Sequence, residues 1–385
     1  YMAFLKDMPG SDKNGYSSIT KTFDKLLSVK TPKVPIMVEN PPFMQRTTQV
    51  FDRGNWLMKT DTVSPSTPKI LNDWNEDWPS NRLGFANWLV DKKNPLTART
   101  VVNRVWQQLF GEGLVTTVED LGSQSPNPTH PELLDWLSLR FMNEHNWSVK
   151  SLIKEIVLSG TYQQNSETTP QEHQQDPFNL LYARGPRIRL SAEQIRDQAL
   201  AVSGLLSPKM YGPSVMPPQP DGVWQTVYNS DKWVVSKGED KYRRAVYTYL
   251  KRTSPYPSYL TFDAGSREVC TVKRTTTNTP LQALITLNDP VYTEAAVAFA
   301  KKVDESKSIE NKISMAYEMA VNRSINEETL NTLLELYNEA VTNYNSNPES
   351  VLELLKNQES ESSELAALTV VVNAIMNLDE FLTKA

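Results

Sequence analysis

Residues 97–111, TARTVVNRVWQQLFG, and residues 131–145, PELLDWLSLRFMNEH, decide the fold class, because apolar side chains recur in each every three or four positions. On the second stretch Leu133, Leu134, Trp136, Leu137 and Phe141 cover one broad face, which is how a core-forming helix is written. RLGFANWLVD (82–91) and SVKSLIKEIVLSG (148–160) carry the same spacing. Each stretch is bounded by Gly, Pro, Asn or Ser, so four helices follow one another past Asn81. Two start signals are explicit: Thr129-His-Pro-Glu132 and Ser191-Ala-Glu-Gln194 both read as capping boxes. Further amphipathic stretches over 280–303, 307–322, 326–345 and 361–384 predict helices to the end, with a polar, acidic helix–loop section from Tyr344 to Glu364.

Outward from these helices the pattern changes. VPIMVE, TTQVFDRG and NWLMKTDTV lean toward strand, and Arg53-Gly54-Asn55 supplies a turn between the last two, so a small β-hairpin is expected within 34–80. Residues 1–33, with Pro9-Gly10, Asn14-Gly15 and scattered lysines, read as a linker or wrapping arm with little regular structure. From Ser207 to Arg243 the chain is rich in Pro, Gly and Trp, a long loop of the kind that wraps or functions. RRAVYTYLKR (243–252) alternates as a buried strand does. The expectation is a mainly α, multi-helix protein with a small β-hairpin or sheet element and long Pro/Trp-rich loops. Its segments are 1–33, 34–80, a helical part 81–206, an Arg-rich loop and strand segment 207–280, and a C-terminal helical part 281–385.

The 385 residues carry 40 Lys+Arg against 45 Asp+Glu, a net charge of −5, which with no nucleic-acid-binding motif argues against a nucleic-acid partner. The longest apolar run, LTVVVNAIM (368–376), is broken by Asn373 and falls short of the ~20 residues that a bilayer-spanning helix needs. Cys270, the single cysteine, forbids an internal disulfide, a CxxCH haem attachment and a Cys-rich cluster within the chain, and three histidines leave little for a His-built metal centre. No metal site and no cofactor are therefore expected within these residues. Phosphate-loop, dinucleotide, zincin, nucleophile-elbow and EF-hand signatures are all missing. No signal-peptide pattern follows Tyr1, and the chain reads as a piece of a longer protein.

Arginine is the feature that stands out. Between Tyr182 and Arg274 there are fifteen Lys+Arg against eight Asp+Glu, an excess of seven in a net acidic chain. Arg184, Arg187 and Arg189 in ARGPRIRL, with Arg243, Arg244 and Arg274, could converge on an anion, since the guanidinium fork suits carboxylate, sulfate or phosphate. The alternative is a structural network with Glu193, Asp197, Asp263 and the acidic helices. On the 97–111 helix, Arg99, Asn103 and Arg104 form a polar stripe that meets either a ligand or the loop carrying Glu119, Asp120, Ser123 and His130. Glu119 and Asp120 are adjacent carboxylates, but a glycosidase needs two carboxyls roughly 5–9 Å apart across a cleft. His145 is expected as a helix C-terminal cap, His173 as a solvated residue, and Cys270 as a small buried hydrophobe rather than a nucleophile. Trp224, Tyr228, Trp233, Tyr256 and Tyr259 either offer faces to sugar rings or fill the core.

The runs RLGFANWLVDKKNPLTARTVVNRVWQQLFGEGLV, THPELLDWLSLRFMNEHNWSVKSLIKEIVLSGTYQQ and FDAGSREVCTVKRTTTNTPLQALITLNDP closely resemble the C-terminal domain of unknown function of planctomycete cytochrome c domain-containing proteins. The likeness extends from about Val34 to the end. It implies an exported, periplasmic or envelope-associated parent, encoded near sulfatase-like and polysaccharide-degradation genes, whose haem c sits in an N-terminal part outside this chain. It implies no reaction and carries over no catalytic residue. Asn103 and Arg104 in VVNRVW, His130 and Pro131 in THPELLDW, and Arg274, Asn278, Thr279 and Pro280 in KRTTTNTPLQAL match family-typical positions.

Three functions follow as expectations. The first is a binding or assembly module, in which the Arg-rich segment and the Pro/Trp loop contact an anionic polysaccharide or other domains and chains of the parent. The second is a polysaccharide-acting enzyme domain with His130, Asp120 and the arginines in one pocket. The third is a scaffold for an electron-transfer partner. The candidate ligand-binding residues are Arg99, Asn103, Arg104, His130, Arg243, Arg244, Arg274 and Asn278.

Overall fold

The structure, a computed structural model, describes residues 13–29, 36–223, 232–304, 308–355 and 362–384. It is mainly α: among the described residues there are fifteen α-helices and two two-stranded sheets. The chain divides into two compact units, residues 1–89 and 90–385.

The first unit holds α1 (Lys13–Ser28), the hairpin of β1 (Thr48–Phe51) and β2 (Lys59–Val63), and α2 (Arg82–Leu89). Helix α1 corrects the expectation of an irregular arm. Ile19, Phe23 and Leu26 repeat at helical spacing, and that spacing outweighs the local Gly and Lys content. The hairpin forms as expected, pairing Thr48 with Val63 and Gln49 with Thr62, with a register shift before Phe51 meets Lys59. Its turn, Asp52–Gly54, places Arg53 at φ 46° and Gly54 at φ 78°. Trp88 of α2 is buried and donates its indole N–H to the Asn72 carbonyl at 2.9 Å. Gly84 is required there, because a Cβ would lie 1.9 Å from the Pro79 carbonyl oxygen.

The second unit has two apolar cores. In the first, α3 (Thr97–Phe110), α4 (Pro131–Asn143) and α5 (Val149–Val157) bury Val102, Trp106, Leu134, Phe141, Leu152 and Ile156. Leu134, Leu137 and Phe141 turn inward as their spacing requires, while Trp136 stays half exposed beneath the Arg140 guanidinium. Thr129 does not cap α4. Its N–H and hydroxyl are taken up by the Leu114 carbonyl, and His130 stands at the cap position without its side chain capping the helix. A short helix, α6 (Pro170–Gln175), starts from a capping box of Thr169 and Glu172.

The second core gathers α7 (Ala192–Ser203), α8 (Pro257–Thr261), α9 (Pro280–Asn288), α10 (Pro290–Val303), α11 (Ile309–Val321), α12 (Glu327–Ser346), α13 (Pro348–Leu355), α14 (Ser363–Met376) and α15 (Asp379–Leu382). Helix α14 is apolar nearly all round, with Leu365, Leu368, Val371, Val372 and Ile375 buried, which is the pattern of a central helix. Helix α7 opens with the expected Ser191–Gln194 capping box. The stretch 280–303 is two helices rather than one, because Pro290 drives Asp289 into extended backbone, where its side chain caps α10. The 243–252 segment is not a strand. It is extended but broken by a 3-10 turn at Ala245–Tyr247, and it pairs only through single bridges, Ser207 to Arg243 and Val215 to Thr248. Two-residue strands β3 (Ile188–Arg189) and β4 (Thr383–Lys384) pair antiparallel and fasten the segment between the two cores.

Candidate functional site

A cleft of 1350 Å³ opens in the second unit, walled by the C-terminal end of α3, the 166–179 region, the 184–194 segment and the 271–277 segment. Five cationic side chains reach it: Arg184, Arg187, Arg189, Lys273 and Arg274. Pairing of β3 with β4 fixes Arg189 on the wall, and Arg187 lies directly before that strand. Arg187 Nη2 lies 2.5 Å from Asp379 Oδ2, and Arg189 Nη2 donates to Gln282 Oε1 at 2.9 Å. Gln282 is itself buried and donates to the Thr261 carbonyl and the Thr277 hydroxyl. Arg274 grips Glu193, in the first turn of α7, with two bonds of 2.8 and 3.0 Å across 81 residues of chain. Lys273 bridges both Glu112 oxygens at 2.7 and 2.8 Å.

These pairs set the electrostatics. Burial, the largest single influence, works to raise the pKa of Glu193, but the Arg274 hydrogen bonds, a backbone hydrogen bond and the charges of Arg274 and Arg267 together outweigh it and hold the carboxyl below its ordinary range. A hydrogen bond from Arg187 likewise lowers Asp379. Asp263, in the left-handed region at φ 58°, accepts both the Thr277 N–H and hydroxyl on one oxygen. Glu193 and Asp379, lowered in this way, serve as fixed charges, not as proton donors at neutral pH.

The residues singled out from the sequence are dispersed. Arg274 stands on the cleft wall. Arg99 pairs with Asp135 at 2.7 Å and donates to the Pro95 carbonyl. Asn103 is fully buried and clamps the backbone of Val115, donating to its carbonyl and accepting its N–H, both at 2.9 Å. Gly113 leaves room for that clamp, since a Cβ there would lie 2.8 Å from Asn103 Oδ1. Arg104 is exposed on the same helix. His130 is half-buried, with Nδ1 3.1 Å from Thr129 Oγ1 and its ring beside Tyr182. Arg243 is buried, donates to the Tyr211 and Pro213 carbonyls and stacks on Tyr247. Arg244 meets Asp197 at 3.5 Å, and Asn278 is exposed beside Thr277. The eight do not form one constellation.

Other candidates resolve similarly. Asp120 is exposed and accepts the Gly122 N–H. His145 pairs with Glu155 at 2.6 Å, where Arg140 also lands, so its side chain joins an ion cluster rather than capping α4. His173 is exposed at the cleft rim, and Cys270 is exposed rather than buried. Tyr256 and Tyr259 are buried, and Trp233 stacks on Tyr256, which makes these aromatics core. Trp224 and Tyr228 lie outside the described residues. Sequence reasoning passed over Lys273, Glu112 and Phe178. The only signal for Phe178 was a large apolar residue just after the polar run that ends at Asp176.

A family model described as PSD1, a protein of unknown function (DUF1553), matches residues 81–337. No curated protein and no solved structure matches the chain.

Proposed function

We propose that this chain, which belongs to the PSD1 family of proteins of unknown function (DUF1553) common in planctomycete cytochrome c-containing proteins, is a binding module that holds an anionic polysaccharide in its cleft. The observation that carries the reading is the convergence of Arg184, Arg187, Arg189, Lys273 and Arg274, from two segments far apart in sequence, on one open cleft. Its 1350 Å³ exceeds the roughly 300–1,000 Å³ of a typical small-molecule pocket, which suits several linked units rather than one small ligand.

The reading is binding rather than hydrolysis. A glycosidase needs one carboxyl that keeps its proton, and burial raises the pKa of such a group. Here Glu193 is pulled the other way by Arg274, and Glu112 is chelated by Lys273. Haem c does not fit these residues, because thioether attachment takes two cysteines and the chain has only Cys270. Any haem therefore belongs to another segment of the parent. The module would present a polysaccharide beside that segment, in the periplasm or envelope. Among the described residues no helix is long and apolar enough to cross a membrane.

Equilibrium binding of the purified chain to dextran, polygalacturonate and dextran sulfate, each at two salt concentrations, tests the proposal. Binding to the two polyanions that weakens as salt rises is the expected result, since exposed charge contacts are screened within about 10 Å at 0.1 M salt. Equal binding to neutral dextran, or no binding to any of the three, would overturn it.

A further inference from the structure

Within the cleft the five cations are not equivalent. Arg187 and Arg189 face Asp379, Lys273 holds Glu112, and Arg274 holds Glu193. Arg184 differs: its guanidinium donates to the carbonyls of Asp176 at 2.7 Å and Pro177 at 3.3 Å, and among the described residues no carboxylate lies within ion-pairing distance of it. Glu172 senses it only at longer range. Beside it on the same wall stands Phe178, 72% exposed.

The 176–185 loop is built to keep this pair in place. Asp176 accepts the Leu180 and Leu181 N–H groups, one on each oxygen, at 2.9 and 2.8 Å. Asn179 donates to the Arg184 carbonyl at 2.9 Å, and Gln164 ties down the Tyr182 carbonyl at the same distance. Asn179 and Tyr182 both take left-handed backbone, at φ 52° and 53°. For a residue as bulky as Tyr that conformation persists only when its surroundings impose it, and the Tyr182 ring is packed against Phe110 and Trp106. Gly185 closes the loop against the Gln164 carbonyl, where a Cβ would come within 2.2 Å. The loop thus fixes a large apolar ring in solvent next to an uncompensated guanidinium.

Resting on the cleft reading above, we infer that Phe178 and Arg184 form the subsite that reads one acidic sugar unit. The apolar face of the sugar ring lies on the Phe178 ring, and its carboxylate or sulfate is taken by the Arg184 fork. The paired cations elsewhere in the cleft then serve the neighbouring units.

The test compares the chain with its Phe178→Ala and Arg184→Lys variants, titrated with polygalacturonate and with dextran sulfate, with thermal unfolding as a check on folding. Phe178 is mostly solvent-exposed, so its variant should melt with the parent, and lysine keeps the charge of Arg184 while losing the fork. Affinity at least tenfold weaker in both variants, with unchanged melting for Phe178→Ala, is the expected result. A loss in Arg184→Lys confined to polygalacturonate assigns the subsite to carboxylate, and one confined to dextran sulfate assigns it to sulfate. Parent-like binding by Phe178→Ala overturns the subsite and leaves the cleft reading standing. Failure of the unaltered chain to bind either polymer overturns both.

Discussion

Replacing Arg196 by Met should lower the stability of the second unit by about 3–5 kcal/mol, the usual cost of removing one partner from a buried charged network. Arg196 sits on α7 with 1% of its surface exposed. Its Nη1 donates to the Arg243 carbonyl at 2.8 Å and its Nη2 to the Lys241 carbonyl at 2.9 Å. One buried side chain thereby holds the backbone that carries Arg243, and Arg243 in turn holds the Tyr211 and Pro213 carbonyls. Methionine fills similar space but supplies no donor, so two carbonyls lose their partners and Asp197 and Asp289 lose a nearby positive charge. Arg196→Lys should fall between, because one ammonium restores the charge without reaching both carbonyls as a fork does. Denaturant unfolding followed by tryptophan fluorescence measures the difference, and an unchanged midpoint in Arg196→Met would remove this network from the account.

Asp289→Asn should act in the opposite direction. The Asp289 carboxyl is 2% exposed, one of its oxygens accepts the Val291 N–H at 2.9 Å, and the other is buried with no partner among the described residues. Burial pushes its pKa up from 3.8 to about 6, against the lowering influence of the Val291 N–H and Arg196. A raised pKa in the folded protein means that the folded state holds the proton more tightly than the unfolded chain does. The associated stability is fully present below 3.8 and is lost as pH rises through about 6, so at neutral pH the ionised group is a burden. Asparagine keeps the acceptor for Val291 and removes the charge. At pH 7.5 the variant should be more stable by up to about 3 kcal/mol, at 1.36 kcal/mol per pKa unit. Its stability should also change less between pH 4 and 7 than that of the parent. Parallel pH profiles for the two proteins would contradict the assignment.

How far the molecule could be read in advance depended on the range of the interaction involved. The helices at 97–110, 131–143, 149–157 and 192–203 were legible because periodicity and caps act within a few residues. The hairpin was legible because Arg53 and Gly54 announce its turn. Segment 243–252 misled, since Arg243 and Ala245 are buried while Arg244 and Val246 are exposed, a short alternation that the 3-10 turn breaks, so that Thr248 is buried next. The polar stripe on α3 was visible, but Asn103 answers to the backbone of Val115 and Arg99 to Asp135, partners that no local pattern specifies. The cleft was the least legible feature. It depends on Lys273 reaching Glu112 across 161 residues, Arg187 reaching Asp379 across 192, and β3 meeting β4. Within it, Phe178 gave no periodic signal, because it is held outward by a loop and not inward by a core.

The central claim is that the cleft itself takes the polyanion. Hydrogen–deuterium exchange of the whole chain, with and without saturating polygalacturonate or dextran sulfate, tests it most directly. The account predicts slowed exchange in the 166–179, 184–194 and 271–277 segments, which wall the cleft, with no change in α11 and α12. Protection confined to segments away from the cleft, or none under conditions where the polymer is bound, would contradict it.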